Sequence, residues 1–119
     1  MNMLLIVNAS PWGSTLAHTA MRFARAALAA GAPLAAVYFQ GDGVYNAWSG
    51  RARDAGAADL AAEWASLARQ HDVDLLLCSA AAARRWDDAV EAAVPGPFRP
   101  AGLAEVVERM GESARVVSF

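Results

Sequence analysis

The chain has 119 residues, 56% of them hydrophobic, which suits one domain with a modest but real core. Its formal net charge of −2 gives no electrostatic case for wrapping nucleic acid, and no apolar run is long enough to cross a bilayer. A single cysteine excludes an internal disulfide and a cysteine-based zinc cage, and the lack of lysine removes Schiff-base chemistry.

Met3-Leu4-Leu5-Ile6-Val7 is a continuous apolar run and reads as a buried strand. No positive side chain precedes it, the first being Arg22, which argues against a secretory signal. A cytoplasmic protein with a reduced thiol is therefore expected. Asn8 to Ser14 is turn chemistry, and Ser14 or Thr15 can cap the following helix. That helix is expected to run to about Ala30, with His18, Arg22 and Arg25 on a polar stripe and Gly31 as its stop. Leu34 to Phe39 is the second strand, and Gly41-Asp42-Gly43 reads as a turn. From Val44 to Gly56, mixed aromatics, glycine and charge predict a loop holding one helical turn.

A helix from Ala57 to about His71 is expected to bury Leu60, Trp64 and Leu67. The apolar run from Val73 then ends at Cys78 as a third strand. Trp86, Ala89, Val90 and Ala93 again have helical spacing, and Pro95, Pro97 and Pro100 leave room around Phe98 for only a short extended piece. Leu103, Val106, Val107 and Met110 define the last helix, which Gly111 ends, and Arg115 to Phe119 is the final strand. Strands alternating with helices predict one α/β domain over residues 1–119, a parallel sheet of about five strands with helices on both faces.

Cys78 ends a short buried strand just before an alanine-rich helix former carrying Arg84 and Arg85. In open α/β sheets the carboxyl edge collects ligands and chemistry. A helix start and two guanidinium groups favour the thiolate, which is the reactive form of cysteine. Read so, Cys78 is a candidate sulfur nucleophile tuned by Arg84 and Arg85. The alternative is a space-filling cysteine beside a solvated arginine pair.

The Ser10–Thr15 stretch joins a strand to a helix, where N–H groups could cradle phosphate and Trp12 could stack on a flavin. It lacks the spacing of a phosphate-binding loop, so a capped turn is the simpler reading. His18, His71 and Cys78 have no metal-ligand spacing, and no metal or other cofactor is expected. Trp12, Tyr45 and Trp48 fall in loops at the same sheet edge as Cys78, which suits a partner interface.

Taken together, Pro11-Trp12-Gly13-Ser14 before Ala17, Ala20, Phe23, Ala24 and Ala26, then Val37-Tyr38-Phe39 and Gly43-Val44-Tyr45-Asn46-Ala47, form a recognisable order. It continues through Cys78 with Ala80 to Arg85, and closes with Gly102-Leu103 and Arg115 to Phe119. In this order and spacing the chain resembles the DsrE/TusD family of sulfur-relay proteins over nearly its whole length. The resemblance implies a five-stranded parallel sheet between helices and a persulfide carried on Cys78. It also implies transfer of that sulfur to a partner cysteine, serving tRNA thiolation or sulfur oxidation. No direct contact with nucleic acid or membrane is implied. TusD-like chains assemble with two related subunits, two of each, so a hetero- or homo-oligomer is expected. Trp86 stands where a small residue is expected, and Trp12 where tyrosine is more usual. Two other readings stay open: a non-catalytic structural subunit with Cys78 buried, and a flavin- or nucleotide-binding domain using the Ser10–Thr15 loop.

Overall fold

The computed structural model describes residues 2–51 and 56–119. Strands β1 (Met3–Val7), β2 (Leu34–Phe39), β3 (Asp74–Cys78), β4 (Phe98–Ala101) and β5 (Arg115–Ser118) lie in the order β4-β3-β2-β1-β5. Every neighbouring pair is parallel. The chain steps from β1 to β4 in one direction, then returns across the sheet to place β5 beside β1. Right-handed crossovers taken in opposite directions put their helices on opposite faces. Accordingly α1 (Leu16–Ala29) and α2 (Leu60–His71) cover one face, and α5 (Leu103–Glu112) packs on the other.

Strand alternation divides the core the same way. Leu5, Val7, Val37, Phe39, Leu75 and Leu77 meet Ala17, Ala20, Met21, Trp64 and Leu67 in the larger cluster. There Phe39 meets Trp64 edge-on, with ring centroids 5.4 Å apart. Leu4, Ile6, Ala36, Tyr38 and Leu76 form the second cluster with Ala101 and Val106. Two ion pairs seat α5 along the sheet. Arg99 of β4 grips Glu105 with two bonds of 3.1 and 2.6 Å, and Arg109 reaches Asp74 at the start of β3. Both pairs are part-exposed and so contribute modestly.

Several boundaries differ from the sequence reading. The Gly41 to Gly43 turn is the start of a 3-10 helix, Gly41–Ala47, which takes up the front of the expected loop. Residues 52–55 of that loop lie outside the described residues. Helix α2 starts at Leu60 rather than Ala57, because the Asp59 side chain accepts the Ala62 N–H at 3.3 Å and caps it there. Trp86 does not join a helix with Ala89 and Val90. Helix α3 (Ser79–Arg85) ends before it, and Asp87 opens the separate α4 (Asp88–Ala92) by accepting the Val90 N–H at 2.9 Å. Of the apolar residues of α5 only Val106 is buried; Leu103, Val107 and Met110 are 75%, 57% and 42% exposed. Among the described residues α5 alone packs on that face, and no second helix covers the rest of its apolar stripe.

Pro100 lies inside β4, which is tolerated because β4 is an edge strand. The Phe98 N–H turns away from the sheet and bonds the Pro95 carbonyl at 3.2 Å.

The 3-10 helix packs against the end of β1 with no room for a side chain at residue 43. A Cβ there would stand 2.0 Å from the Val7 carbonyl oxygen and 2.8 Å from its carbon. Backbone on both sides must move to admit even alanine. Gly43→Ala is expected to destabilise the fold by about 2 kcal/mol or more, the scale of overpacking. A fall in urea midpoint measures it, and an unchanged midpoint would show that this contact yields freely.

Candidate active site

Cys78 ends β3 with extended backbone and serves as the cap of α3. Its sulfur accepts the Ala81 N–H at 3.4 Å. Ser79 fixes the start of the helix by donating its hydroxyl to the Ala101 carbonyl at 3.2 Å. Cys78 is half-buried and packs against both core clusters, so the thiol stands at the rim of the sheet.

A second strand supplies the neighbouring polar group. Tyr38 of β2 pairs in register with Leu76, placing it on the same face as Leu76 and one strand-repeat before Cys78. Tyr38 is only 4% exposed and sits in the cluster that Cys78 borders, which sets its hydroxyl beside the thiol. Burial pushes the Cys78 thiol up, but the Tyr38 hydroxyl, the Ala81 and Ala80 N–H groups and the Arg84 charge outweigh it. The net effect holds the thiol below its ordinary value. Reciprocally, burial and the Cys78 sulfur push the Tyr38 phenol well up, so it remains an O–H donor.

Arg84 and Arg85 have different surroundings. Arg85 Nε donates to Asp42 Oδ1 at 2.9 Å and its Nη1 to the Ala81 carbonyl at 3.3 Å. Arg84 is exposed and supplies the charge felt at the sulfur.

Trp12, Tyr45 and Trp48 come together. Trp12 lies 5.1 Å from Tyr45 and 6.4 Å from Trp48, centroid to centroid, with the Arg51 guanidinium 5.3 Å from its ring centre. Trp12 is exposed, whereas Tyr45 and Trp48 are half-buried rather than free in a loop. The Tyr45 hydroxyl donates to the Arg85 carbonyl at 3.1 Å, tying this cluster to the far end of α3. Asn46, buried beside it, donates to the Ala9 and Gly43 carbonyls at 2.9 Å and closes the first loop onto the 3-10 helix.

Trp86 lines a cavity of about 300 Å³ with Leu77, Ser79, Ala83, Glu91 and Pro100, on whose wall Cys78 does not lie. A larger apolar cavity of about 470 Å³, between Met3, Phe23, Pro33 and Arg115, opens at the opposite, amino-terminal edge of the sheet. Among the described residues, no group of three His, Cys, Asp or Glu side chains is placed to hold a metal ion. No helix of the described residues is long and apolar enough to cross a membrane.

Tyr38 is the site residue that sequence reasoning passed over. The available signal was a lone hydroxyl in an otherwise apolar central strand, which needs a partner when buried.

The fold and the rim thiol together define an α/β domain with one cysteine presented at the carboxyl edge of a parallel sheet. The chain matches the DsrE/DsrF-like family over residues 1–119 and belongs to it. It is 40% identical to a sulfurtransferase TusD homolog of Vibrio parahaemolyticus, covering 97% of this chain and 95% of that one. It is 38% identical to sulfurtransferase TusD of Serratia proteamaculans, over 97% and 96%. A putative sulfurtransferase DsrE of Allochromatium vinosum is 33% identical over 100% of this chain and 98% of its own. The crystal structure of the ychN protein from E. coli superimposes with a TM-score of 0.83, covering 100% and 99% of the two chains, at 14% identity. That likeness is one of fold.

Because the folded thiol sits below its unfolded value, the thiolate adds stability above the unfolded pKa, and this is lost as pH falls through the folded one. Alkylation of Cys78 followed against pH should give a midpoint below the ordinary cysteine value of about 8.5. A midpoint at or above that value would mean that burial prevails.

Proposed function

We propose that the chain is a sulfurtransferase subunit of a cytoplasmic sulfur relay that carries sulfur as a persulfide on Cys78. The observation that carries this reading is the half-exposed thiol at the sheet rim, met by hydrogen-bond donors that favour its thiolate. The names of relatives between 33% and 40% identical support it.

The chemistry needs no cofactor. Cys78 thiolate attacks the outer sulfur of a donor persulfide, the donor's S–S bond breaks, and the donor leaves as thiolate. In the second step an acceptor thiolate attacks the outer sulfur of Cys78–SSH, and the new S–S bond breaks with its electron pair returning to Cys78. Nothing is oxidised or reduced overall. Donor and acceptor are proteins on this reading, and the chain's net charge of −2 gives RNA no attraction of its own. Incubation with glutathione persulfide should add the mass of one sulfur atom, and Cys78→Ser should abolish the gain. A wild-type chain that stays unmodified would sink the reading and favour a structural subunit.

Arg84 is proposed as the long-range stabiliser of the thiolate, with Arg85 instead bracing α3 against Asp42. In the alkylation titration, Arg84→Ala should raise the midpoint by a few tenths of a pH unit, an effect screened by salt, whereas Arg85→Ala should leave it unmoved. Equal responses would remove the distinction.

For assembly, exposed Trp12 over Tyr45 and Trp48 is the proposed contact with homologous relay subunits, or with a second copy when the chain is alone. Tryptophan, tyrosine and arginine are the residues that dominate interface energies. Sedimentation should show a species larger than 12.5 kDa that Trp12→Ala weakens at least tenfold. A wild-type monomer both alone and with related subunits would refute it.

A further inference from the structure

The buried side chains of the sheet beneath α5, Leu4, Ile6, Ala36, Leu76 and Ala101, pack with Val106 of the helix and are aliphatic, with one exception. Tyr38 places a hydroxyl there, 4% exposed, where phenylalanine would fill the same space. A hydroxyl on so buried a side chain favours a polar neighbour, and Cys78, which borders the same cluster, brings its sulfur to this face. The register explains how they meet. Tyr38 lies opposite Leu76, so Cys78 is the next residue on that face, and the length of a tyrosine ring bridges the diagonal between adjacent strands.

We propose that Tyr38 is the thiolate-stabilising residue of the site, its hydroxyl holding Cys78 Sγ as an anion both before attack and when it leaves. The leaving-group role rests on the sulfur-carrier reading of Cys78; the first role does not. Before loading, the O–H···S⁻ bond raises the fraction of nucleophilic thiolate. During discharge the acceptor takes the outer sulfur, the S–S bond breaks, and its electron pair comes to rest on Sγ facing the same hydroxyl. A sulfur stabilised as thiolate leaves faster. The phenol stays protonated throughout, because burial beside the sulfur pushes its own ionisation far up. Tyr38 thus donates a hydrogen bond and transfers no proton.

The test compares Tyr38→Phe with the wild-type full chain, circular dichroism confirming the fold. Alkylation by iodoacetamide against pH should show the midpoint raised by roughly one unit, with the rate near neutrality down about tenfold. At alkaline pH the variant should match or slightly exceed wild type, since a less stabilised thiolate is the better nucleophile. Loosened packing alone would change the plateau and leave the midpoint in place. An unmoved midpoint overturns the proposal. Should Tyr38→Phe not fold, Tyr38→Met keeps the bulk, lacks the hydroxyl and carries the same comparison. In the second arm, chains loaded with glutathione persulfide are discharged by cyanide, which takes the outer sulfur as thiocyanate and returns Cys78 as thiolate. Release should slow several-fold in the variant, and unchanged release beside a shifted midpoint overturns the leaving-group role. A wild-type chain that accepts no sulfur refutes the carrier reading by itself, and the alkylation midpoint still decides what Tyr38 does.

Discussion

The close approach of the 3-10 helix to the end of β1 is the constraint from which the rim of the molecule is built. Residue 43 lies so near the Val7 carbonyl that only glycine fits. With the backbone drawn in, Asn46 reaches the Ala9 carbonyl, Asp42 reaches Arg85, and Tyr45 reaches the Arg85 backbone. These three contacts join the loops after β1 and β2 to α3, whose other end is Cys78. Alanine-rich and seven residues long, α3 has little side-chain surface with which to hold itself. Its position is imposed at both ends, by Ser79 on β4 and by the 3-10 helix at Arg85.

The thiol gains from lying on a boundary. Deeper in the sheet, desolvation would neutralise it; fully outside, it would meet neither Tyr38 nor the Ala81 N–H. Cys78 touches both cores while remaining half-exposed. The groups around it come from the adjacent strand β2 and from α3, so parallel pairing of β2 with β3 matters as much to its chemistry as the local motif.

Much of the architecture was legible because it follows from short-range pattern. Three apolar runs bounded by turn residues gave β1, β2 and β3 close to their observed limits, and placed Cys78 at a strand end. What escaped depends on partners distant in sequence. Trp86 has helical spacing with Val90, yet capping by Asp87 breaks the helix between them. Leu103, Val107 and Met110 carry the pattern of a buried face, and periodicity does not reveal which positions of that stripe the sheet will cover. Helical spacing put Arg85, seven residues on, nearest the face of Cys78, but Asp42, 43 residues away in sequence, holds that side chain in an ion pair. Tyr38 was hidden for the same reason, its significance lying in a residue on the neighbouring strand.

The β4 edge has a consequence for how such domains can be combined. Phe98 has already turned its N–H back to Pro95, and Pro100, two residues on and facing the same way, has none. The outer side of β4 therefore offers no backbone donor to an incoming strand. An incoming strand would find only carbonyl acceptors along this border, which disfavours growth of the sheet from chain to chain there. Contacts at this border beside the thiol are thereby left mainly to side chains, which can be varied one at a time without altering the sheet that holds the cysteine.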